Sequence, residues 1–124
     1  MTTGLRNQTI LFVYGEIDRF VVELHQALDE AGADSVIART PGDAINALAR
    51  FEFDGALINY LQEHAEYREL VRALAGLPTL VLCSPLTPLS ALTRMPILSK
   101  PVAPGAVLTA LARLLHSATD PQGG

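Results

Sequence analysis

The chain has 124 residues, 49% hydrophobic and 18% charged, which suits one compact domain with a sizeable core and excludes a disordered or fibrous chain. With 9 Lys and Arg against 13 Asp and Glu, the net charge of -4 provides no basic footprint, so nucleic acid is not an expected partner. The first residues lack an apolar signal core, no later apolar run approaches the roughly 18 residues that span a bilayer, and Cys83 is the single cysteine, which excludes an intrachain disulfide; the expected setting is cytoplasmic, without membrane contact.

Residues 1–8 are polar and are expected to be disordered, leaving a domain over 9–116. Thr9-Ile10-Leu11-Phe12-Val13 is a short apolar run bounded by Gly15, the pattern of a strand covered on both faces. From Asp18 to Ala31, the residues Val21, Leu24, Leu28 and Ala31 recur at three- and four-residue steps, which predicts a helix that Gly32 ends. Ser35-Val36-Ile37-Ala38-Arg39 reads as the second strand. Thr40-Pro41-Gly42-Asp43 then combines a capping hydroxyl, a first-turn proline and an early carboxylate, announcing a helix with the stripe Ala44, Ile45, Leu48, Phe51. The run Phe53 to Asn59 contains the third strand. Tyr67, Leu70, Val71 and Leu74 mark the third helix before Gly76 and Pro78, and Thr79-Leu80-Val81-Leu82-Cys83 is the fourth strand.

Between Ser84 and Pro96, three prolines leave room for only about two turns of a short, irregular helix. Ile97-Leu98-Ser99 is a brief fifth strand. Pro104 to His116 carries Val107, Leu108, Leu111, Leu114 and Leu115 on one helical face, and 117–124 is expected to be a disordered tail. Strands alternating with helices imply right-handed crossovers and a parallel sheet, a doubly wound α/β domain of the (βα)5 type. In such sheets ligands collect at the C-terminal ends of the strands, here Tyr14, Gly15, Glu16, Asn59, Tyr60, Cys83, Ser84 and Lys100.

That set, with Lys100-Pro101 after the fifth strand, resembles the receiver domain of two-component response regulators over Ile10 to His116. The resemblance implies a flavodoxin-like five-stranded sheet in the order 2-1-3-4-5, two acidic residues after the first strand, a phosphorylatable Asp after the third, a Thr or Ser after the fourth, and a Lys-Pro with a cis peptide bond after the fifth. By position these become Tyr14 and Gly15, Asn59, Cys83, and Lys100 with Pro101; only the last pair matches. A register one residue later places Ser84 where the hydroxyl belongs.

The departures have chemical consequences. A side-chain amide is neutral and its nitrogen lone pair is delocalised, so Asn59 is no nucleophile toward phosphorus. Tyr14 and Gly15 offer no carboxylate, and Glu16 alone is a poor site for a hard cation that needs several oxygens, so Mg²⁺ binding is expected to be weak or absent. Without a phosphoryl partner, Lys100 is expected to hydrogen-bond Asn59 or pair with Glu16. The rings of Tyr14 and Tyr60 are expected to fill the vacated pocket. Ile97 stands where the resemblance implies a switch aromatic, so a phosphorylation-driven switch has lost that member too.

His25, His64 and His116 are far apart and lack a second ligand at helical spacing, so no metal site is expected among them. Cys83 has no histidine at motif spacing to activate it, and no enzyme is expected. Leu86, Leu89, Leu92 and Met95, with Ile97, form either part of the core or an exposed strip beside the fifth strand and last helix, the face through which a protein partner or a second copy would dock. The expected function is that of a stand-alone pseudo-receiver, without an output domain, that acts by phosphorylation-independent protein contacts. The alternative is a small-molecule sensor using a cavity beside Tyr14 and Asn59.

Overall fold

The computed structural model describes residues 4–60, 66–84 and 95–119. Its elements are β1 (Thr9–Val13), α1 (Arg19–Glu30), β2 (Asp34–Ala38), α2 (Pro41–Arg50), β3 (Gly55–Tyr60), α3 (Tyr67–Ala73), β4 (Thr79–Cys83), β5 (Ile97–Ser99) and α4 (Pro104–Thr119). The five strands form one parallel sheet in the order β2-β1-β3-β4-β5, doubly wound as the alternation of elements implied and with the flavodoxin-like strand order that the receiver resemblance implied.

The helix starts follow from side-chain chemistry. Asp18 caps α1 by accepting from the Val21 N–H at 2.8 Å, and Thr40 caps α2 by accepting from Asp43 N–H at 3.1 Å, each satisfying a donor that the first helical turn leaves open. Gly32, just past α1, takes a φ of 83°, which a residue with a Cβ resists.

Strand alternation divides the interior into two layers. Ile10, Phe12, Leu57, Leu80 and Leu82 face α1 and α4, meeting Leu24, Leu28, Val107, Leu111 and Leu115. Leu11, Val13, Ala56, Ile58, Val81 and Cys83 face α2 and α3, meeting Ala44, Tyr67, Leu70 and Leu74.

Within the stretch expected to be disordered at the start of the chain, Leu5 is fully buried in the α1–α4 layer, Gln8 N–H donates to Leu5 C=O and Asn7 N–H donates to Gly32 C=O. An isolated leucine in a polar stretch found core volume to fill, and burying it stabilises by about 2 kcal/mol. At the other end α4 continues to Thr119 instead of stopping at His116. The expected irregular helix, with Leu86, Leu89 and Leu92, and His64 lie outside the described residues.

Candidate functional site

Asn59, near the end of β3, is fully buried, and both ends of its amide are used. Its Nδ2 donates to the Tyr14 carbonyl at 3.1 Å, and its Oδ1 accepts from Lys100 Nζ at 2.7 Å. The two partners fix the amide's orientation, because reversing it would set NH₂ against an ammonium and oxygen against a carbonyl. A carboxylate in the same place would face the Tyr14 carbonyl with a lone pair. Of the two roles expected for Lys100, the bond to Asn59 is present. Glu16 is exposed and forms no ion pair among the described residues.

The loop after β1 shapes the other side of the site. Gly15 has a φ of 76°, its N–H donates to Arg39 C=O at 3.0 Å, and the following Glu16 N–H returns to Tyr14 C=O at 3.0 Å. The Tyr14 carbonyl therefore receives two donors, one from the turn and one from Asn59. An acidic residue at Gly15 would have to adopt a left-handed backbone.

Lys100 is the one lysine among 9 Lys and Arg residues, and its neighbours explain its state. Burial holds its ammonium below the usual lysine range, while the Asp18 carboxylate and then Cys83 act in the opposite sense. The ammonium also stands 5.8 Å from the centre of the Phe20 ring, and the Lys100-Pro101 bond is cis as expected.

The residue at the end of β4 differs from the first expectation. Asn59 pairs in register with Leu82, and Tyr60 with Cys83. Cys83 consequently points into the α2–α3 layer, whereas Ser84 belongs to the same face as Asn59 and lines a cleft of about 360 Å³ with Asp18, Phe20, Lys100, Pro101 and Val102. The later register is therefore the one the sheet adopts, and a hydroxyl is present on the Lys100 side.

The tyrosines do not occupy the expected place. Tyr60 is buried in the opposite layer, 5.0 Å from Tyr67 between ring centres. Tyr14 packs edge-on to Phe12 at 6.4 Å and lines a separate hollow of about 150 Å³ on the α1 side. Neither of these two openings is lined by both Tyr14 and Asn59. Of the apolar strip, Met95 is half-buried against the α2–α3 layer and Ile97 is exposed on β5.

The donors here do not match what a magnesium ion requires. The Asn59 oxygen is neutral and held by an ammonium, Gly15 has no side chain, and no group of three or more His, Cys, Asp or Glu that could hold a metal occurs among the described residues. The arrangement positions an ammonium and a hydroxyl beside a cleft, with a neutral amide at residue 59.

No protein-family model matches the sequence, and no curated protein matches it. Solved structures do match in fold. The receiver domain of a Francisella response regulator superposes with a TM-score of 0.74 at 15% identity, covering 91% of this chain and 100% of that one. The chemotaxis response regulator CheY4 of Vibrio cholerae gives 0.69 at 20% identity, with 87% and 98% covered. The receiver domain of a sensor histidine kinase from Pseudomonas aeruginosa, with a magnesium ion coordinated in its active-site cleft, gives 0.73 at 18% identity, with 90% and 99% covered. The chain thus has the fold of the CheY-like response-regulator receiver domains.

Proposed function

We propose that this chain is a pseudo-receiver in two-component-type signalling that accepts no phosphoryl group at Asn59, is not an enzyme, and acts through contacts with protein partners. The observation that carries the reading is the Asn59 amide, held between the Tyr14 carbonyl and the Lys100 ammonium. A receiver's acceptor must expose a charged oxygen to phosphorus, whereas this oxygen is uncharged and already engaged. The acidic pair that the resemblance implies after β1 is replaced by Tyr14 and Gly15. Ser84 and Lys100 remain, so the groups that would support a phosphoryl oxygen persist after the acceptor and the acidic pair are gone.

The face for partners is proposed around β5 and α4, where Ile97 is 40% exposed. The test is an NMR titration of the ¹⁵N-labelled protein with Mg²⁺ and beryllofluoride. The amide signals of Asn59, Ser84 and Lys100 are expected to stay in place, and saturable shifts at all three would defeat the proposal.

A further inference from the structure

Among the described residues five large hydrophobic side chains are exposed, and three of them, Ile17 at 70%, Val22 at 53% and Ile37 at 45%, line a single hollow of about 150 Å³. Phe12, Tyr14 and His25 also line it. Scattered exposed apolar residues are ordinary, but three converging on one concavity mark a surface that gains by being covered.

The hollow adjoins the end of the sheet. β2 pairs only with β1, and the bonds from Asp34 N–H to Gln8 C=O and from Tyr14 N–H to Ala38 C=O show which of its residues face inward. Backbone groups alternate along a strand, so Ser35 and Ile37 direct their N–H and C=O outward, and neither has a backbone partner among the described residues. Edge strands are usually blunted by charges along their length or by proline, whereas here the middle of the edge is Ser-Val-Ile.

We propose that this edge pairs with β2 of a second copy, antiparallel about a twofold axis. The charges favour this occupant. Asp34 begins the strand and Arg39 follows it, both are exposed, and neither is ion-paired among the described residues. Antiparallel pairing brings the acidic end of each strand toward the basic end of the other, twice per dimer, whereas parallel stacking sets like charges together. A twofold contact must also be self-complementary, and Ile17, the most exposed of the three, is one of the residues lining the hollow that its counterpart would enter. Registers that use the outward groups of both copies set odd-numbered residues opposite one another, for example Ile37 against Ile37.

Sedimentation equilibrium of the full chain, from micromolar to near-millimolar concentration, tests this surface independently of the β5 face. The expected result is a concentration-dependent dimer that Ile37→Lys weakens by roughly tenfold or more, with an unchanged circular dichroism spectrum, because two lysines would then stand opposite each other. Asp34→Arg is expected to weaken the dimer, and adding Arg39→Asp to restore it. Hydrogen exchange of the unaltered protein gives a check free of folding effects: the Ser35 and Ile37 amides are expected to exchange more slowly as concentration rises. A monomer throughout the range would overturn the proposal and leave the edge to a strand from a different protein. A dimer indifferent to Ile37→Lys, or one whose charge reversal is not rescued, would overturn it equally.

Discussion

Replacing Lys100 with methionine keeps most of the side-chain volume and removes the donor on which the Asn59 oxygen depends. Asn59 is fully buried, so water does not readily replace the ammonium at 2.7 Å, and an unsatisfied buried acceptor costs about 1–3 kcal/mol. Part of this is offset, because the ammonium is itself poorly solvated, as its lowered pKa indicates. A net loss of about 1–2 kcal/mol is expected. With a urea m-value of about 1.5 kcal/mol/M for a domain of this size, the unfolding midpoint should fall by roughly 1 M. Asn59→Ala is expected to be milder at its neighbours, since Lys100 can turn to the cleft and the Tyr14 carbonyl retains the Glu16 N–H. The double variant should then cost less than the sum of the two by about 1 kcal/mol. Additivity within about 0.3 kcal/mol would show that the Lys100–Asn59 bond contributes nothing of its own.

Further outcomes follow from the same geometry. Because Lys100 is the only lysine, ¹³C reductive methylation yields one side-chain signal besides the terminal amine, and it should titrate below the value for a free methylated lysine. The folded state disfavours the cation, so this penalty is complete below the folded pKa and is relieved as pH rises from that value toward the unfolded one; stability should gain over that window, and Lys100→Met should abolish the gain. An unshifted titration would contradict the burial of the ammonium. Gly55→Ala should destabilise by about 1–3 kcal/mol in the same urea assay, because the added methyl would overlap the Leu115 side chain and press on the Pro78 carbonyl at 3.3 Å. A neutral result would mean that the Leu115 side chain gives way without cost.

Much of the architecture could be read from local chemistry. The caps at Asp18 and Thr40 and the turn at Gly32 fall where residue preference places them, and continuous apolar runs marked the central strands correctly. What escaped was decided by contacts between distant parts of the chain. The face presented by Cys83 or Ser84 depends on a one-residue register that periodicity cannot resolve, since a strand's side chains alternate whichever residue is taken first. Leu5 gave no periodic signal, and its burial depends on space between α1 and α4. Lys100 and Asn59 are 41 residues apart, so their bond was suggested only by the order of elements and the receiver resemblance. Asp18 and Phe20 border the ammonium because α1 begins beside the end of β5, a proximity created by the strand order.

The most direct test of the central claim is the Asn59→Asp variant incubated with acetyl phosphate and Mg²⁺ and read by intact mass. Placing a carboxylate at residue 59 supplies a nucleophile but not the acidic pair that would hold the magnesium ion beside it, so the account expects no stable phosphorylated species. Stoichiometric, acid-stable and base-labile phosphorylation mapped to residue 59 would contradict it.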